Sequence, residues 1–137
     1  MPVTKAESIS VRSAGEVVGV RHLVRKWAVE LGLSLVEQTK IVTAASELAR
    51  NMIDYGGGGT MTAEALDDGI RKGLRLIFED HGPGIPDLQA ALRDGFTTGG
   101  GMGLGLGGAK RLSNEFELKS APGEGTRVTI TRWKGAT

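Results

Sequence analysis

Gly99-Gly-Gly-Met-Gly-Leu-Gly-Leu-Gly-Gly108 packs seven of the chain's 22 glycines into ten positions. Glycine inside a helix or strand costs roughly 0.5–1 kcal/mol relative to alanine. A run this dense therefore marks backbone that approaches a ligand closely or a segment that moves. Gly103-Leu-Gly-Leu-Gly-Gly108 also spells the dinucleotide pattern G-x-G-x-x-G. That pattern requires a strand immediately before the first glycine and a parallel βαβ unit around it. Here the preceding strand-like segment ends near Asp80, and a hairpin-like pair follows the run. A phosphate loop of the G-K-[ST] type fails too, because Lys110 is followed by Arg111. The glycines point away from a doubly wound parallel sheet.

Strand and helix patterns around the run supply the alternative. Ser8–Arg12 alternates apolar and polar and reads as an opening strand at a sheet edge. Val17, Val20, Leu23, Val24, Trp27 and Leu31 recur at helical spacing, and Gly32 stops that helix. Val18 and Val29, also on this helix, fit either the core or an interface, and the core is the favoured assignment. Ser34 and Glu37 form a capping box for a second helix reaching about Tyr55, with Ile41, Ala45, Leu48, Met52 and Tyr55 on its apolar face. Gly56–Gly59 breaks it. Thr60–Leu66 and Gly73–Asp80 read as strands joined by a turn at Asp67-Asp-Gly69. The stretch 81–101 has little regular patterning beyond a short helix at Leu88–Leu92. A helix over about Leu104–Leu112 follows, then strands Glu115–Ser120 and Arg127–Trp133 about the turn Pro122–Gly125. The order β-α-α-β-β-loop-α-β-β predicts an α+β two-layer sandwich, with a mostly antiparallel, mixed sheet and helices on one face.

Composition limits the function classes. The 137 residues, 39% hydrophobic and 24% charged, fit one soluble domain spanning 1–137. A net charge of +1 advertises neither nucleic acid nor an anionic membrane as a partner. The absence of cysteine removes disulfides, thiolate metal sites and cysteine nucleophiles. No apolar run has signal-peptide or membrane-span length, so a cytoplasmic location is expected by default.

Four pieces fit one nucleotide site. Glu47 and Asn51 are spaced i, i+4, which puts a carboxylate and an amide on one helix face. The amide oxygen suits Mg²⁺, a hard cation, and the carboxylate can orient or deprotonate an attacking hydroxyl. Asp80, at a strand end within Asp80-His-Gly-Pro-Gly84, can accept from the exocyclic amine of adenine. Gly82 and Gly84 let a base approach the backbone there. The glycine run leads into a helix N-terminus, where successive N–H groups suit phosphate. Thr126, after Gly125, places a hydroxyl on the base side. His22 and His81 lack metal-ligand companions at useful spacing.

In this order the pieces resemble the nucleotide-binding motifs of the gyrase, Hsp90, histidine-kinase and MutL (GHKL) ATPase superfamily. The wording of Gln38-Thr-Lys-Ile-Val-Thr-Ala-Ala-Ser-Glu-Leu-Ala-Arg-Asn51, Glu79-Asp-His-Gly-Pro-Gly-Ile-Pro-Asp87, Asp94-Gly-Phe-Thr-Thr98 and Lys110-Arg-Leu112 narrows the match. These segments resemble the stressosome switch kinases (the RsbT family), which are serine/threonine protein kinases of the anti-sigma-factor type. The resemblance spans about Trp27 to Trp133 and implies a Bergerat-type sandwich that binds Mg-ATP under a mobile lid, about 85–101. It implies Glu47 as catalytic base, Asn51 as Mg²⁺ ligand, and Asp80 and Thr126 on the adenine side. Gly82 and Gly84 would line the pocket. Gly99, Gly100, Gly101, Met102, Gly103, Leu104 and Gly105 would contribute the hinge and the phosphate contacts, leaving Gly107 and Gly108 to helix packing.

The same resemblance implies partners. A STAS-domain antagonist protein would carry the acceptor Ser or Thr, and a PP2C-type phosphatase is a second expected partner. A weak homodimer is also compatible with it. The chain has no room for the phosphoaccepting helical hairpin of a sensor histidine kinase. Two rivals remain: a nucleotide-gated switch that binds and releases proteins with little catalysis, and a direct anti-sigma factor.

Overall fold

The computed structural model describes residues 2–84 and 106–136. Its elements run β1 (Val3–Val11), α1 (Ala14–Glu30), α2 (Leu35–Gly56), β2 (Gly59–Asp67), β3 (Lys72–Asp80), α3 (Leu106–Arg111), β4 (Glu115–Ser120) and β5 (Thr126–Trp133). The strands form one five-stranded sheet in the order β1-β2-β3-β5-β4, antiparallel at every pairing. The predicted sandwich of helices on an antiparallel sheet is the observed architecture. The parallel component of a mixed sheet is absent among the described residues.

Helix α2 begins as its sequence dictates. Ser34 Oγ accepts from the Glu37 N–H at 3.1 Å, and Glu37 Oε1 accepts from the Ser34 N–H at 2.8 Å. The reciprocal bonds satisfy N–H groups that an isolated helix leaves open. The other Glu37 oxygen accepts from the Gly135 N–H at 2.8 Å, tying the chain's last turn to this helix start. At the far end, Gly57 takes φ 76° and the Gly58 N–H closes on the Met52 carbonyl at 2.9 Å. A left-handed residue at that position is the usual way a helix stops, and glycine adopts it without a Cβ clash.

The core lies between the helices and one sheet face. Trp27, Val20 and Val24 of α1 and Ile41, Ala45 and Leu48 of α2 meet Met61, Leu74, Leu76 and Ile130 from the strands, all at most 2% exposed. Each such aliphatic side chain contributes roughly 1.5–3 kcal/mol on burial. Strand β1 begins earlier than its alternation predicts, because Lys5 stands where an apolar residue is expected. Its ammonium stands over the Trp27 ring, 4.4 Å from the ring centroid, and 3.2 Å from Glu30 Oε1. A lysine used this way covers apolar surface while its charge stays wet.

Val18 and Val29 are not core. They are 44% and 55% exposed. The buried stripe of α1 is Val17, Val20, Val24, Trp27 and Ala28. At 3.6 residues per turn Val18 and Val29 lie together roughly a third of a turn from it. The helix rests on one side only, so that face stays open.

Candidate active site

The register of β2, β3, β5 and β4 places Gly59, Asp80, Thr126 and Ser120 in one row at the same end of the sheet. Helix α2 ends above that row. Between them lies a cleft open to solvent. From α2 it is lined by Leu48, Asn51, Met52, Tyr55 and Gly56, which recur at helical spacing along one face. Phe78 and Asp80 of β3, Thr126 and Val128 of β5, Gly84 and Leu106 complete the wall. Apolar side chains form most of this surface, and three polar ones converge on it. This is the usual make-up of a small-molecule site.

Backbone proximity sets the position of the Asp80 carboxylate. Asp80 Oδ1 accepts from the Gly82 N–H at 2.9 Å, within a tight turn after β3. A Cβ on Gly56 would overlap the same carboxylate, so only glycine there leaves the acid room in the cleft. A Cβ on Gly84 would overlap the Ala121 carbonyl, and one on Gly125 would overlap the Asp80 carbonyl. Gly56 and Gly125 thus approach Asp80 at distances no side chain permits.

The sequence candidates therefore separate. Asn51, Asp80, Gly84 and Thr126 line one cleft. Glu47 lies one turn before Asn51 on α2 and is exposed, outside the lining. Gly82 is also outside it: a Cβ there would come within 2.7 Å of Gly56 Cα, so this glycine lets the loop pass the helix end. The lid at 85–101, the helix at Leu88–Leu92 and the contacts assigned to Gly99, Gly100, Gly101, Met102, Gly103, Leu104 and Gly105 lie outside the described residues. Gly107 is buried in α3. Among the described residues, a Cβ on Gly108 would meet only Arg111 Nη2, at 4.0 Å, so packing against them does not require glycine at that position.

Tyr55, Gly56, Phe78 and Ser120 escaped sequence reasoning. Gly56 reads as a helix breaker when its neighbour across space is unknown. Phe78 was legible, since strand alternation puts it on the same face as Asp80. His22 and His81 are both exposed.

Residues 36–135 match the family model of the histidine kinase-, DNA gyrase B-, and HSP90-like ATPases. The chain belongs to that family. It is 46% identical over 125 residues to the serine/threonine-protein kinase RsbT of Bacillus subtilis, covering 91% of this chain and 94% of RsbT. An anti-sigma F factor of Thermoanaerobacter is 32% identical over 122 residues, covering 85% of this chain and 84% of that one. The solved RsbU and RsbW domains of Rv1364c from Mycobacterium tuberculosis superpose with a TM-score of 0.67 at 23% identity. That match covers 97% of this chain and 34% of the longer one. The SiaB–SiaC complex from Pseudomonas aeruginosa gives 0.53 at 15% identity, covering 96% and 90% of the two chains. Within the ATPase family the chain is a serine/threonine-protein kinase.

Proposed function

We propose that this chain transfers the γ-phosphoryl group of Mg-ATP to a serine or threonine of a STAS-domain antagonist protein. The observation that carries the reading is the convergence of Asn51, Asp80 and Thr126 on one apolar-walled cleft. The cleft suits a nucleoside. Leu48, Met52, Phe78 and Val128 offer apolar surface to a purine ring, while Asp80 and Thr126 offer oxygen atoms to its edge. Gly56 and Gly84 leave space that a Cβ would fill.

Asn51 would hold Mg²⁺ through its amide oxygen. Among the described residues no group of three His, Asp or Glu side chains converges to bind a metal. A magnesium ion here would accordingly take one protein oxygen, with phosphate oxygens and water completing its shell, a common arrangement for this ion. When bound, it neutralises charge on the phosphates. Glu47, one turn away, takes the proton of the acceptor hydroxyl as the new O–P bond forms. The bond to the bridging oxygen of ADP breaks in the same displacement. The glycine run 99–105 is assigned to the phosphates and 85–101 to the lid.

The catalytic unit in this reading spans 1–137, because one core joins β1 to β5 and both ends of the cleft. Its site of action is the cytoplasm, where ATP and STAS proteins meet. Among the described residues no helix is long and apolar enough to cross a membrane.

A second reading is favoured by the similarity to anti-sigma F factors. In it the nucleotide gates binding and release of protein partners, a PP2C-type phosphatase or a sigma factor, and catalysis is secondary. The Asn51→Asp variant tests the choice. Partner release that persists after phosphotransfer is lost supports the switch, and loss of both supports the kinase.

A further inference from the structure

Ser120 of β4 stands beside Thr126, and Thr126 beside Asp80, across three adjacent strands. Ser120 Oγ lies 2.8 Å from the Gly125 carbonyl oxygen and 2.9 Å from Thr126 Oγ1. A carbonyl oxygen only accepts, so the single Ser120 hydroxyl proton is committed to Gly125. The bond between the two hydroxyls is then made with the proton of Thr126. That leaves Thr126 Oγ1 with lone pairs alone to present to the cleft it lines. An ionised Asp80 carboxylate is likewise acceptor-only.

The carbonyl that takes the Ser120 proton is itself held in place. Gly125 is buried at φ 78°, and a Cβ there would overlap the Asp80 carbonyl. The turn cannot shift toward β3, so its carbonyl keeps facing Ser120.

We propose that Ser120 is a positioning residue for base selection. It fixes the direction of the Thr126 proton and makes this end of the cleft a wall of acceptors. Such a wall receives hydrogen bonds from a 6-amino purine. It repels a 6-oxo purine, whose oxygen at the same place is also an acceptor. The inference rests on the adenine reading of the cleft and adds to it the residue that enforces the choice from outside the lining.

The test is isothermal titration of Mg-ATP and Mg-ITP, nucleotides that differ at position 6 of the base, into wild type, Ser120→Ala, Ser120→Thr and Asp80→Asn. Removing the Ser120 hydroxyl frees the Thr126 proton to turn into the cleft and donate to a 6-oxo group. The ATP:ITP affinity ratio of Ser120→Ala is expected to fall about three- to tenfold, the worth of one neutral hydrogen bond. Ser120→Thr, which keeps a hydroxyl, is expected to retain the wild-type ratio. A merely structural role would weaken both nucleotides equally, so an unchanged ratio in Ser120→Ala overturns the proposal. Loss of the ratio in Ser120→Thr overturns it too. If wild type binds ATP and Asp80→Asn abolishes that binding while Ser120→Ala leaves the ratio alone, only the Ser120 inference fails. If wild type binds neither nucleotide, the adenine reading falls with it.

Discussion

Asp80 and Thr126 are cross-strand partners at the ends of β3 and β5, and both line the cleft beneath the end of α2. Forty-six positions apart in sequence, they become neighbours only through the antiparallel register. The charged member is the stronger recognition element. Asp80→Asn keeps the size of the side chain and an oxygen for the Gly82 N–H, but it replaces one acceptor by a donor. We expect Mg-ATP affinity to fall roughly tenfold to a hundredfold, the range for a hydrogen bond to a charged group. Circular dichroism should show the fold retained, and calorimetric titration measures the loss.

Gly56 and Gly108 make opposite predictions for the same substitution. Gly56→Ala drives a Cβ into the Asp80 carboxylate. Overpacking of this kind costs roughly 1–3 kcal/mol and here also displaces a cleft residue, so unfolding midpoint and ATP affinity should drop together.

Gly108→Ala places its Cβ 4.0 Å from the Arg111 guanidinium, inside α3. It should stabilise the protein by about 0.4–1 kcal/mol through the unfolded chain. Urea unfolding of the two variants against wild type checks both signs.

Glu37 links acid stability to the α2 start. Its burial raises the carboxyl pKa. The N–H groups of Ser34 and Gly135, the Ser34 hydroxyl and the charge of Arg132 together outweigh that burial and hold it below its ordinary value of 4.5. Between the folded and unfolded values the unfolded chain binds more protons. The stabilisation is therefore complete above about pH 4.5 and is lost as pH falls through the lower folded value. Glu37→Ala should cost roughly 1–2 kcal/mol near neutral pH as a lost cap, and it should flatten the acid limb of stability against pH. Thermal melts of both proteins from pH 7 down to about 3 read the difference.

Local signals in the chain were legible where local physics decides them. The Ser34–Glu37 capping box sets the start of α2, and the alternation of Glu115–Ser120 matches β4 at both ends. The spacing of Glu47 and Asn51 fixed their shared helix, yet not that Asn51 enters the cleft while Glu47 faces solvent. Which face of a helix meets the sheet depends on tertiary packing, and the same omission put Val18 and Val29 in the core. Gly56 and Ser120 were illegible for a related reason. One matters through the approach of β3 to a helix end, the other through a register two strands away. Neither relationship has a sequence period.

Phosphoryl transfer with Glu47 as base is open to one direct assay. The protein is incubated with γ-labelled ATP, Mg²⁺ and STAS-domain proteins from the same cell, wild type beside Glu47→Gln. Wild type is expected to place label on a serine or threonine of one STAS protein. Glu47→Gln is expected to lose roughly 10²–10⁴-fold in rate, the usual worth of a general base, with ATP affinity unchanged. Transfer by Glu47→Gln at the wild-type rate, or no label on any STAS protein with wild type, would overturn the role of Glu47 or the reaction itself.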